Sequence, residues 1–285
     1  MSNPWQSIGK NKPQELIAAK LQMHYAVQFI AIIGSALAEP LPDYSHTSLV
    51  WNPELEAFVG TLIRAAKPFQ VALDPVSLTS IILDKQGDTI ATFPLEKQTI
   101  AETLNWHKQE IIKLGVDVSN IKLPSYPLAD FPDYIIAHGG TFDTSSGQSE
   151  RQELTSYYAN TNQILQEIVA TKEEASAIHI WPHHFDIATL ITLSGTKNGE
   201  PMTIGIGMSP GDQNYHEPYW YVTPYPYPNT ENLPSLDSGG FWHTQEWVGA
   251  VLTASNLTCE PDMQRQQITA FFNSAFQASQ ALLQA

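Results

Sequence analysis

The chain has 285 residues, 29 of them acidic against 14 basic, a formal charge of -15 at pH 7, 42% hydrophobic residues and 15% charged ones. These figures describe a folded globular chain rather than a disordered one. They argue against nucleic acid and anionic membrane as partners, because binding either depends on clustered cations that this sequence lacks. Cys259 is the single cysteine, which excludes an intrachain disulfide and a cysteine-based zinc cluster and fits a reducing, cytoplasmic setting.

In chain order, the first expected element is a helix from about Pro13 to Leu37. Leu16, Ala19, Met23, Val27 and Ile30 recur at helical spacing, and Pro13 suits a first turn, where a missing N–H costs nothing. The same stretch imitates a secretory signal: lysines at 10, 12 and 20 precede the run AVQFIAIIG and an A-x-A-like site at Ser35-Ala36-Leu37-Ala38. The apolar run starts late, so the amphipathic helix is the better reading, and the run is too short to span a bilayer. After a proline-rich loop, residues 48 to 93 alternate in β fashion and turn at Gln86-Gly87-Asp88. TIAETLNWHKQEIIKLG then reads as a helix, with Thr99 as N-cap, Glu102 in capping-box position and Gly115 at the C-cap.

Residues 121 to 150 are rich in Pro, Gly and Ser, and their aromatics Tyr126, Phe131, Tyr134 and Phe142 suggest a connection packed on the surface rather than a free linker. Beyond it, QELTSYYANTNQILQEIVATKEEA is helical, IHIWPHHFDIATLITL and EPMTIGIGMS are strand-like, and QQITAFFNSAFQASQALL is a closing helix. Gln14-Glu15-Leu16 is echoed by Gln152-Glu153-Leu154, and Trp51-Asn52-Pro53 by Trp181-Pro182. The expected fold is therefore α+β: two similar halves, residues 1–120 and 151–285, each of helix, antiparallel strands and helix, packed as one compact unit.

The second half carries the densest polar chemistry. If HHFDIATLITL and PMTIGIGMS form a hairpin closed at Asn198-Gly199, opposing residue numbers sum to about 395. Alternation then puts Phe185, Ile187, Thr189, Ile191 and Leu193 with Met202, Ile204, Ile206 and Met208 on a core face, joined by His183 as a buried histidine. The reverse face carries His184, Asp186, Ala188, Leu190 and Thr192 with Thr203, Gly205, Gly207 and Ser209. Two glycines at alternate positions weaken a strand. A helix in close approach would compensate, and so would a ligand lying on that floor. A third strand, EPYWYVTPYPYP, places Tyr219 and Tyr221 opposite Trp220 and Val222, and its prolines mark an edge or an early end.

This geometry would converge Asp186, Asp212 and Glu217 near His184, with His216 close by. A divalent metal (Zn, Fe or Mn) held by His184, Asp186 and His216 is one option. Metal-free acid–base catalysis by His184, Asp186, Asp212 and Glu217 is another. The third is a ligand-binding surface of Trp181, Gly205, Gly207, Tyr219, Tyr221, Trp242 and His243 without chemistry. Each residue also has a structural use: aromatics fill cores, and Asp186 could accept backbone hydrogen bonds. No G-x-S-x-G elbow and no phosphate-cradling G-x-x-x-x-G-K-[ST] occurs, and GIGMSPG departs from the dinucleotide fingerprint, so no nucleotide cofactor is expected.

Trp181, Phe185-Asp186-Ile187-Ala188, Ser209-Pro210-Gly211 and Glu217-Pro218-Tyr219-x-Tyr221 together resemble an uncharacterised, mostly bacterial family described as a domain of unknown function. ATFPLEKQTIAETLNWHKQEIIKLGV is similar to the family as well, as a strand leading into an amphipathic helix. The resemblance implies no activity. It weighs most on Asp186, Trp181 and Phe185, and it implies small residues where this chain has His183 and His184, so a metal site on those imidazoles would be particular to this protein. The sequence as a whole points to a small-molecule site in the second half, used either by a metal-assisted or His/carboxylate enzyme or by a non-catalytic binding or structural protein.

Overall fold

The structure is a computed structural model that describes residues 4–124 and 130–285; Tyr126 lies outside the described residues. The fold is mixed α and β, and the chain divides into two compact units.

One unit comprises Glu15–Thr155 with His179–Phe185. Helix α1 (Leu16–Leu37) leads into strands β1 (Leu49–Asn52), β2 (Ala57–Gly60), β3 (Phe69–Asp74), β4 (Thr79–Asp84) and β5 (Thr89–Pro94), and then helix α2 (Ile100–Lys113). The five strands form an antiparallel meander in chain order. The short β6 (His179–Trp181) joins it beside β1 through Leu49 and Ile180. Among the described residues Pro13–Leu37 is one helix long and apolar enough to cross a membrane, longer than its apolar run alone indicated, and 72% of its most apolar window is buried within the protein. The capping box at α2 forms as the sequence dictates. Glu102 N–H donates to Thr99 Oγ1 at 3.2 Å, Thr99 N–H donates to Glu102 Oε2 at 2.9 Å, and Gly115 takes the left-handed φ of +82° that ends the helix. Phe131 and Phe142 of the connection are buried.

The other unit comprises Ser156–Ile178, Asp186–Ala285 and the described part of the first 14 residues. Most of α3 (Gln148–Thr171) lies here, followed by β7 (Asp186–Lys197), β8 (Glu200–Ser209), β9 (Tyr219–Tyr225), β10 (Phe241–His243), β11 (Gly249–Thr253) and α4 (Pro261–Gln284). All pairings are antiparallel, but the order β7-β8-β9-β11-β10 inserts β11 between β9 and β10. Helix, strands and helix recur along the chain, but all 11 strands among the described residues belong to one sheet, and the strand order differs, a meander in one unit and an inserted strand in the other.

The β7–β8 hairpin keeps the expected register from Ile187↔Met208 to Thr192↔Thr203, after which a bulge carries it to Thr196↔Pro201 and Lys197↔Glu200. Its two-residue turn puts Asn198 at φ +56° and Gly199 at +84°, the double positive φ for which Asn-Gly is favoured. Ile187, Ile191, Ile204, Ile206 and Met208 are buried, as alternation requires. Trp220 points the same way, its Nε1–H donating to Thr161 Oγ1 of α3 at 2.9 Å, and α4 covers β8, β9 and β11. Strand β9 is not an edge, since β8 flanks it on one side and β11 on the other; Pro224 falls past Val222, where pairing with β11 ends, and stands opposite Ile204 of β8.

Candidate functional site

The stretch that leads into β7 is a turn, not a strand. Trp181 ends β6, Phe185 N–H donates to Trp181 O at 2.7 Å, and Phe185 itself has φ +58°, a left-handed conformation costly for a bulky side chain. The surroundings fix it there. Pro182 O accepts hydrogen bonds from His24 Nε2 at 2.9 Å and Gln28 Nε2 at 2.8 Å, and the Phe185 ring stacks on His24 at 5.1 Å and meets Phe58 edge-on at 5.5 Å. Burial pulls the His24 pKa down to about 3, so the ring is neutral and its Nε2–H is the donor. His183 and His184 are thrown outward, exposed, with their rings 4.6 Å apart. Two expectations are thereby corrected. His183 is not a core residue, and His184 does not share a strand face with Asp186, because alternation begins only at Asp186.

From Asp186 onward the expected face is present. Ala188, Gly207 and Tyr221 stand in one row across β7, β8 and β9, with Leu190 and Gly205 in the next. Tyr221 lies over Gly207: a Cβ there would meet Ile187 O at 2.5 Å and the Tyr221 hydroxyl oxygen at 2.7 Å. The glycine is thus required by the Ile187 carbonyl and by its neighbour's phenol. The Tyr221 hydroxyl donates to Asp186 Oδ2 at 2.5 Å. Burial first, and the Asp186 charge second, push the Tyr221 pKa well above the ordinary tyrosine value.

Of the other expected carboxylates, Asp212 comes near this point, acting with Asp186 on the Tyr219 phenol, whereas Glu217 is held elsewhere. Asp212 Oδ1 accepts the N–H groups of Asn214 and Tyr215 at 2.8 and 3.0 Å, and its Oδ2 accepts the Tyr219 hydroxyl at 2.6 Å. Burial, followed by Asp212, also raises the Tyr219 pKa. Glu217 is bound to a different segment, accepting Ser255 N–H at 2.6 Å and Ser255 Oγ–H at 2.9 Å. His216 is exposed in the loop between. The proposed catalytic quartet of His184, Asp186, Asp212 and Glu217 is therefore dispersed over one turn, one strand end and two loop anchors. The His184, Asp186 and His216 metal set fails on the same grounds, and among the described residues no group of three or more His, Cys, Asp or Glu could hold a metal ion.

Of the ligand-binding residues expected, Tyr219, Tyr221 and His243 belong to an aromatic string that the sequence only half disclosed. Tyr215 was missed: its hydroxyl bonds His243 Nδ1 at 2.9 Å, its ring lies 4.9 Å from Tyr219, and His243 stacks on Trp247 at 4.3 Å. The signal for Tyr215 was its position three residues after Asp212, where an aspartate turn would carry it back over the strand. Trp242 donates Nε1–H to Pro234 O at 2.8 Å, and Trp181 sits in β6 near His179, rings 5.3 Å apart.

Gly205 differs from Gly207. It is partly exposed, its φ is not positive, and a Cβ there would approach only Thr223 O, at 3.9 Å. Leu190 beside it is 46% exposed, as is Tyr225, which pairs with Thr203. The open part of the face is thus a strip of backbone, threonine hydroxyls and two apolar side chains, bounded by the Tyr221–Asp186 pair. The phenols of Tyr219 and Tyr221, pushed above their ordinary pKa, remain protonated near neutral pH and act as fixed donors rather than as acids matched to that pH. No family model, no curated protein and no solved structure matches the chain.

Proposed function

We propose that the protein is a non-catalytic binder of a small neutral molecule, which lies on the strip of β7, β8 and β9 around Gly205. The observation that carries this reading is the contrast between the two glycines: Gly207 is filled by a neighbouring side chain, while Gly205 leaves backbone bare to solvent between Leu190 and Thr223. A neutral ligand suits the strip because the carboxylates at its margin are already engaged by tyrosine hydroxyls and no cation faces it from the paired positions of the three strands. The cytoplasmic location and the family resemblance belong to the same proposal. The single exposed cysteine supports the first, and the turn closed by Trp181 and Phe185 gives the second a structural motive.

The test is a thermal-shift panel of neutral metabolites against the wild type, Gly205→Leu and Asp186→Asn. A ligand that stabilises the wild type, fails on Gly205→Leu and survives Asp186→Asn supports the proposal. Turnover that Asp186→Asn abolishes would replace it with an enzyme, and a panel with no stabilising compound would leave a structural protein.

A further inference from the structure

The unit built on β1 to β6 carries a cleft of about 490 Å³, a size in the range of small-molecule sites, roughly 300–1,000 Å³. One wall is a single turn of α1, presenting Ala31, Ile32, Ser35 and Ala36; Pro124 and Pro182 stand among the residues that face it. Thr47, Asn120 and Lys122 line it as well. Among the described residues the lining thus divides into five apolar members, Ala31, Ile32, Ala36, Pro124 and Pro182, and four polar ones, of which Lys122 carries a charge.

The walls are held independently of any ligand. Gly34 lets α1 come so near the 3-10 turn Ser45–Thr47 that a Cβ there would fall 2.7 Å from His46 O. Thr47 is tied by its Oγ1–H to Tyr44 O at 2.9 Å. Pro182 is fixed through its carbonyl by His24 and Gln28, at 2.9 and 2.8 Å. A site assembled in advance spends little of a ligand's binding energy on ordering. Lys122 enters none of the ion pairs found among the described residues, although the chain carries 29 acids to 14 bases.

We propose that this cleft binds an amphiphilic organic anion, an alkyl chain ending in a carboxylate. The alkyl part lies along Ala31, Ile32, Ala36 and the two prolines, and the carboxylate is met by the Lys122 ammonium and the Asn120 amide. Charge complementarity selects the sign of the headgroup, and the apolar wall selects the tail. The proposal is independent of the strip around Gly205.

The test uses the whole chain and octanoate as probe, measured by isothermal titration with 1-octanol and octylamine as controls. Octanoate is expected to bind saturably, hexanoate several-fold more weakly for its two missing methylenes, and octylamine not at all. Lys122→Glu, at an exposed position that leaves the fold intact, is expected to weaken octanoate by about tenfold while leaving 1-octanol unchanged. Ala36→Trp fills the cleft and is expected to abolish both, with circular dichroism confirming that it folds. The proposal is overturned if octanoate does not bind, if octylamine binds as well as octanoate, or if Lys122→Glu and Ala36→Trp both leave octanoate affinity unchanged.

Discussion

Two buried histidines should make the stability of this protein fall well before its carboxylates titrate. His24 is buried with its pKa pulled down to about 3, and His107 is buried with its pKa pulled down to about 4, in both cases chiefly by loss of solvent. His107 also bonds Thr103 O through Nδ1–H at 2.8 Å and meets Ser80 Oγ through Nε2 at 2.7 Å, where the neutral ring can accept the serine hydroxyl. A histidine whose folded pKa lies below its unfolded value binds more protons when unfolded, so its stability contribution is complete above the unfolded pKa and declines as pH falls through it. With 6.5 as the unfolded value, each ring costs about 2 kcal/mol at pH 5, or about 4 kcal/mol together. Denaturant unfolding between pH 8 and pH 5 measures this loss directly. The variant His24→Gln, His107→Gln keeps an uncharged side chain at each place and should flatten the profile to within about 1 kcal/mol over that interval. Asp143, held down at about 2 by the hydroxyls of Ser145 and Ser146, titrates below the window and does not confuse it. An unchanged pH slope in the double variant, or imidazole resonances assigned to His24 and His107 that titrate near 6.5, would refute the argument.

Gly207→Ala should cost roughly 2–4 kcal/mol by thermal denaturation, because its Cβ would collide with fixed backbone, whereas Gly205→Ala should be neutral or stabilising by about 0.5–1 kcal/mol. Tyr221→Phe should cost about 2 kcal/mol; a double-mutant cycle with Asp186→Asn should give a coupling of about 1 kcal/mol or more, and additive losses would mean the 2.5 Å bond contributes nothing. Arg151→Met should cost about 3 kcal/mol, since its buried guanidinium donates to Val76 O, Ser146 O and Thr144 O, and three carbonyls would lose their donor at once.

Local signals in the sequence were read correctly where the physics is local. The α2 capping box needs two side chains three residues apart, and the β7–β8 register needs only alternation and an Asn-Gly turn, so both were legible. His184 was misplaced because strand parity was extended across Phe185, whose positive φ breaks it; that φ is imposed by His24 and Gln28, some 150 residues away in sequence, and nothing near residue 185 announces it. The partners of Asp212 and Glu217 were lost for a similar reason. A carboxylate beside a loop satisfies whichever N–H or hydroxyl the loop brings back, and Ser255 lies 38 residues from Glu217. Strands β10 and β11 are not legible because one has three residues and the other, GAVLT, is buried throughout, with no alternation to read.

The insertion of β11 between β9 and β10 also bears on synthesis. As the chain leaves the ribosome, β9 has β8 on one side and nothing on the other until residue 253 has emerged, and the five fully buried residues of β11 arrive without a companion of their own. An unpaired strand margin of this kind is a template for another molecule, so the interval between residues 225 and 253 is when a nascent copy is most exposed to mispairing with its neighbours.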